Sequence, residues 1–151
     1  MKLNALAGNA RKIGLLTLPL MIAGISLNII FPDFFIVNDS SGSLFWISLL
    51  LLIFGIINWI WTVSLILKKI PKKQLITTGP YAIVKHPLYV GVALLVLPWV
   101  GFIFNTWLGV VLGIIVYIGS RMFSPEEEKL LSRTFGVEWE EYSKKVMLPW
   151  V

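Results

Sequence analysis

The sequence predicts an all-α, polytopic membrane helix bundle of about four transmembrane segments, the last two a tight hairpin, followed by a cytoplasmic amphipathic C-terminal helical tail. Three observations lead there. The 151 residues are 57% hydrophobic and only 14% charged, with a mean hydropathy of +0.83, well outside the range of a soluble domain of this size. The apolar residues gather in runs of membrane length. All thirteen Lys and Arg residues fall in three places: the amino terminus, the Lys68 to Lys85 connection, and the stretch from Arg121 onward. Four crossings put those places on one side, and the positive-inside rule makes that side the cytoplasm, together with both termini.

Met1 to Lys12 is short and basic, and the apolar run Ile13 to Phe31 follows. A signal peptide shares this order, but the run is long for its apolar core and no small-x-small cleavage pattern follows. Pro32 to Ser43 reads as an opposite-side loop, with Asp33 and Asp39 and no basic residue. Leu44 to Leu67 is an unbroken apolar span, closed by Lys68, Lys69, Lys72 and Lys73, with Pro71 as the helix stop. Residues 1–74 thus form the amino-terminal transmembrane segments, and 75–151 the part of the same single domain in which chemistry is expected.

Thr78 to Gly91, TGPYAIVKHPLYVG, breaks the apolar pattern and holds the only histidine. Gly79 and His86 each precede a proline and so favour extended backbone, which makes the stretch an ordered, non-helical connection. Leu88 to Phe104 and Trp107 to Met122 then form the hairpin around a turn at Asn105-Thr106, the second arm short for a full crossing. Gly91, Gly101, Gly109, Gly113 and Gly119 would let its backbones approach closely. In the tail, Ser124-Pro125-Glu126-Glu127 has the form of a capped helix start. Leu130, Leu131, Phe135, Trp139, Tyr142 and Val146 recur at helical spacing, Gly136 interrupts them, and two short amphipathic pieces are expected against the membrane or the core, with Trp150 at the interface.

The absence of cysteine and the single histidine exclude disulfides, thiolate metal sites and multi-histidine metal sites. The basic residues line no single face, so nucleic acid is not an expected partner. The polar residues that gather at one end are Tyr81, Lys85, His86, Tyr89, Arg121, Glu127 and Glu128. They supply donors, acceptors and both charge signs, without a nucleophile triad or a phosphate-cradling loop. All but Glu128 have a plainer role beside this one: Glu127 completes a capping box that does not need Glu128, His86 suits an interfacial structural role, Tyr81 and Tyr89 an interfacial belt, and Lys85 and Arg121 topology; Gly91 likewise suits helix packing.

The run G-P-Y-x-x-x-K-H-P-x-Y-x-G (79–91), followed by E-E-x-x-L-x-x-x-F-G-x-x-x-x-x-Y (127–142), resembles the isoprenylcysteine carboxyl methyltransferase and phospholipid methyltransferase family of integral membrane enzymes. The resemblance covers roughly Leu75 to Tyr142; the first two segments match only in being hydrophobic. It implies an S-adenosylmethionine-dependent methyltransferase that acts on an amphiphilic or prenylated acceptor drawn from the lipid bilayer, with S-adenosylhomocysteine as product and no metal. Carried over position by position, it implies Tyr81, His86, Pro87, Tyr89, Gly91, Glu127 and Glu128 as cofactor contacts, and His86 and Arg121 as the residues nearest the chemistry. Lys85 stands where family members often have arginine, keeping the charge and losing the planar fork. Trp139 stands where a tyrosine is usual. From other classes, a non-catalytic small membrane bundle and a nicotinamide-dependent membrane reductase with the same C-terminal architecture are the competing expectations.

Overall fold

The computed structural model describes the backbone of residues 3–38 and 42–148, with side chains from Lys12 onward. Asp39 and Trp150, and the side chains of Lys2 and Arg11, which entered the topology and anchoring expectations, lie outside the described residues. The described chain is helical with short turns. Three helices are long and apolar enough to cross a membrane: α1 (Leu3–Ile30), α3 (Ser43–Lys69) and α6 (Leu108–Phe135). A fourth, shorter apolar arm, Pro87–Ile103, completes the expected set. The segments lie in a row, α1 against α6, α6 against the arm, and the arm against α3.

The end of the bundle away from the candidate site is stitched by polar atoms. The short α2 (Pro32–Phe35) packs its Phe34 and Phe35 rings on Trp107, and the Trp107 indole donates to the Phe34 carbonyl at 2.9 Å. Thr106 donates to the Asn28 side chain at 2.8 Å. These bonds pin the hairpin turn to α1 and leave few unpaired backbone groups at its apex.

The Pro87–Ile103 arm comprises α4 (Pro87–Gly91), a wide π turn over Val92–Val96, and α5 (Leu97–Ile103). Pro98 near the start of α5 cannot donate to the turn before it, so the register widens there rather than continuing as ideal α-helix. The irregular carbonyls are covered by glycines. A Cβ on Gly109 would stand 2.1 Å from the Leu97 oxygen, one on Gly113 2.3 Å from the Ala93 oxygen, and one on Gly55 of α3 2.3 Å from the Leu95 oxygen. Gly101 meets the Gly109 backbone. Of the five glycines expected to bring the hairpin arms together, Gly101, Gly109 and Gly113 do so. Gly91 instead faces Asn58 of α3, and Gly119 faces Leu16, Thr17 and Ile13 of α1. On α3 the heptad row Ser48, Gly55 and Thr62 is the buried centre of the contact face.

The second hairpin arm is not short. α6 runs on through Ser124 and Pro125 to Phe135, so the expected capped helix start at Ser124 is a helix interior. The Ser124 hydroxyl donates to the Ser120 carbonyl at 2.7 Å and caps nothing. Pro125 gives up only its own backbone donation, an affordable loss in a helix already propagated for four turns. Gly136, at φ +53, does interrupt the tail as expected and turns the chain into α7 (Val137–Lys145). α7 folds back, burying Trp139 and Tyr142 with Val146 against Leu75 of the connection.

Two outcomes test this packing in detergent. Gly109→Ala should lower the unfolding midpoint, an overpacking cost of about 1–3 kcal/mol, whereas Gly14→Ala, in open space, should hold or raise it. Ser124→Ala should change stability by less than about 0.5 kcal/mol, below the roughly 1 kcal/mol that loss of a helix cap costs.

Candidate functional site

The hairpin brings the start of one arm beside the far end of the other. His86 is the residue before α4, with Pro87 at the first helical position, where a missing N–H costs nothing. The His86 side chain makes no cap; it turns toward α6 and is buried, with 6% of the side chain exposed. Its Nε2 lies 3.4 Å from Glu128 Oε1, and its Nδ1 lies 3.9 Å from Glu127 Oε2. Lys85 Nζ reaches Glu128 Oε2 at 3.3 Å, so the two oxygens of one carboxylate meet two neighbouring side chains, an ammonium and an imidazole. Glu127 is 9% exposed and Glu128 31%, which makes Glu127 the wall of the cluster and Glu128 its solvent edge.

Tyrosines frame these charges. The Tyr89 ring centre stands 6.4 Å from that of His86. The Tyr81 phenol is pushed above its ordinary pKa by burial first and by the Glu127 charge second, so it stays protonated and able to donate. Tyr142 is raised likewise, by burial and then by Glu128. The connection that carries Tyr81 makes a tight turn over Gly79–Ala82, with Gly79 at φ +66 against Trp61 and Leu65 of α3.

The structure therefore collects Tyr81, Lys85, His86, Pro87, Tyr89, Glu127 and Glu128 in one place. Gly91 lies one turn along α4 and faces α3. Arg121 is exposed on α6, two turns before Glu128, and forms no ion pair with a described residue. Two contributors escaped the sequence reading. Asn58, a lone amide in an apolar span, sits against Gly91. Glu126, the third acid of the run, pairs with Lys12 and ties α1 to the site end of α6. A separate open cleft of about 430 Å³ lies between Thr77 and Ala82 of the connection and Glu138, Glu141 and Lys145 of α7; none of the cluster residues lines it.

Replacing the two acids separates their settings. Glu128→Ala should cost about 1–3 kcal/mol, because Lys85 and His86 lose their shared partner in a confined site. Glu126→Ala, at an exposed pair, should stay within about 1 kcal/mol, and chemical denaturation in micelles reads both.

Residues 43–133, more than half of the chain, match the model of the isoprenylcysteine carboxyl methyltransferase family. The match begins at the start of α3 and takes in the connection, the hairpin and the acidic part of α6, the same elements that build the cluster. No curated protein and no solved structure matches the chain. Matched over more than half of its length, this chain belongs to the isoprenylcysteine carboxyl methyltransferase family of membrane methyltransferases.

Proposed function

We propose that the chain transfers a methyl group from S-adenosylmethionine to an amphiphilic acceptor in the bilayer, either an isoprenylcysteine carboxylate or a phospholipid amine. The observation that carries this is the convergence of Lys85 and His86 with Glu127 and Glu128 at one end of the hairpin, at 3.3 to 3.9 Å. The donor set fits the cofactor, which presents an ammonium, a carboxylate and two ribose hydroxyls to be met at once. Glu127 and Glu128 suit the ammonium and the hydroxyls, Lys85 and His86 suit the carboxylate, and Tyr81 and Tyr89 offer aromatic faces and protonated hydroxyls. Pro87 and Gly91 serve by setting the path of α4.

Bound there, the cofactor would supply a methyl already activated by its sulfonium, and S-adenosylhomocysteine would remain. The protein's own work is then alignment and exclusion of water. His86, buried beside Glu127 and Glu128, is the residue we assign to take the proton that an amine acceptor loses; a carboxylate acceptor loses none. Arg121, on the same face of α6 as Glu128, is the cation we assign to an acceptor carboxylate. The Lys12 to Glu126 pair puts Lys12 at this same end, which supports a cytoplasmic site under the positive-inside rule.

Calorimetry with S-adenosylhomocysteine on the micellar protein tests the reading. The parent should bind, and Glu128→Ala and His86→Ala should each weaken binding by about tenfold or more, the loss of a charge-assisted contact. A parent that binds NADPH and not S-adenosylhomocysteine would sink the proposal. Incubation with a methyl-labelled cofactor and total lipid or protein extract should then place the label in one fraction and choose between the two acceptors.

A further inference from the structure

We infer that residues 142–148 are a positioning element for the His86 loop, with Tyr142 as its anchor. Three consecutive carbonyls of the connection are taken by this one segment. The Tyr142 hydroxyl donates to the Tyr81 carbonyl at 2.8 Å, the Met147 N–H to that of Ala82 at 3.2 Å, and the Leu148 N–H to that of Ile83 at 2.8 Å. Val84 pairs with Leu148 as an isolated parallel bridge, and Val84 leads directly to Lys85 and His86.

The grip has two further points. Leu75, at the other end of the connection, packs into the cluster formed by Trp139, Tyr142 and Val146. The positive φ of Gly136 directs α7 back across the connection. A segment that only covered apolar surface would need Leu75, Trp139 and Val146; it would not need to bind successive backbone oxygens three to five residues before the histidine. Hydrogen bonds to backbone fix the loop's path regardless of its side chains, and the loop's path sets where the imidazole stands relative to Glu127 and Glu128. The consequence for cofactor affinity rests on the methyl-transfer reading above.

The chain has one histidine. Purified without a polyhistidine tag and labelled at the imidazole, the full-length protein in micelles therefore reports the position of His86 by one set of ring NMR signals. Tyr142→Phe removes a single hydroxyl, and Leu148→Pro removes the donor to Ile83; Thr106→Val is the control, breaking the bond to Asn28 at the other end of the bundle. Both tail variants should move the ring signals, and Tyr142→Phe should raise the S-adenosylhomocysteine Kd about fivefold, the worth of one ordinary hydrogen bond. Thr106→Val should lower the melting point with the ring signals in place. Ring signals unmoved by both tail variants, signals moved equally by Thr106→Val, or signals that move with an unaltered Kd would each overturn the inference. Failure of the parent to bind S-adenosylhomocysteine would remove the methyl-transfer reading, and the ring signals alone would then decide the positioning.

Discussion

The close approach of glycine to irregular backbone carbonyls is the constraint on which the rest of this molecule depends. A membrane interior offers no water to a carbonyl that has lost its helical donor, and little hydrophobic drive to hold two helices together. The π turn and Pro98 make the Pro87–Ile103 arm irregular, and Gly55, Gly109 and Gly113 let neighbouring backbones close on its Leu95, Leu97 and Ala93 carbonyls. Contact at that range leaves little freedom to slide. The two arms are thereby held in register, and both measure about twenty residues from the turn to the cluster, a rise of roughly 30 Å on each side. That equality is why His86, at the foot of one arm, meets Glu127 and Glu128, deep in the other.

The charges gathered there follow from the same geometry. Lys85 and Glu128, most of each side chain shielded from solvent, cost less together than either would alone, and the His86 imidazole stands beside both carboxylates. The cluster is graded, with Glu127 and His86 inside and Lys85 and Glu128 toward the edge. Such a gradient leaves the outer pair accessible to a polar ligand while the inner pair stays fixed as its frame.

Much of this was legible in the residues. Hydropathy and the placement of Lys and Arg marked the segments, because the bilayer imposes both on any sequence that crosses it. The break at Thr78 to Gly91 marked the site, because proline, glycine and a lone histidine have no easy place inside an apolar helix. The course of α6 was not legible: Ser-Pro-Glu-Glu reads the same at a helix start and in a helix that a preceding turn has already propagated, and only the packing of Ser120 and Ser124 against neighbours distinguishes them. The partners of Gly91 and Gly119 were hidden for a related reason. A small residue announces a close approach without naming the helix that makes it.

The bond between Tyr142 and the Tyr81 carbonyl also bears on the order in which the protein is made. The four apolar segments leave the ribosome before residues 142–148, so the bundle can insert and pack while the loop beside His86 still lacks its clamp. Assembly of the clamp then follows insertion of the four segments, and a chain interrupted within α7 yields an inserted bundle with an unfinished centre. A membrane enzyme built in this order holds its reactive arrangement back until the polypeptide that supports it is in place.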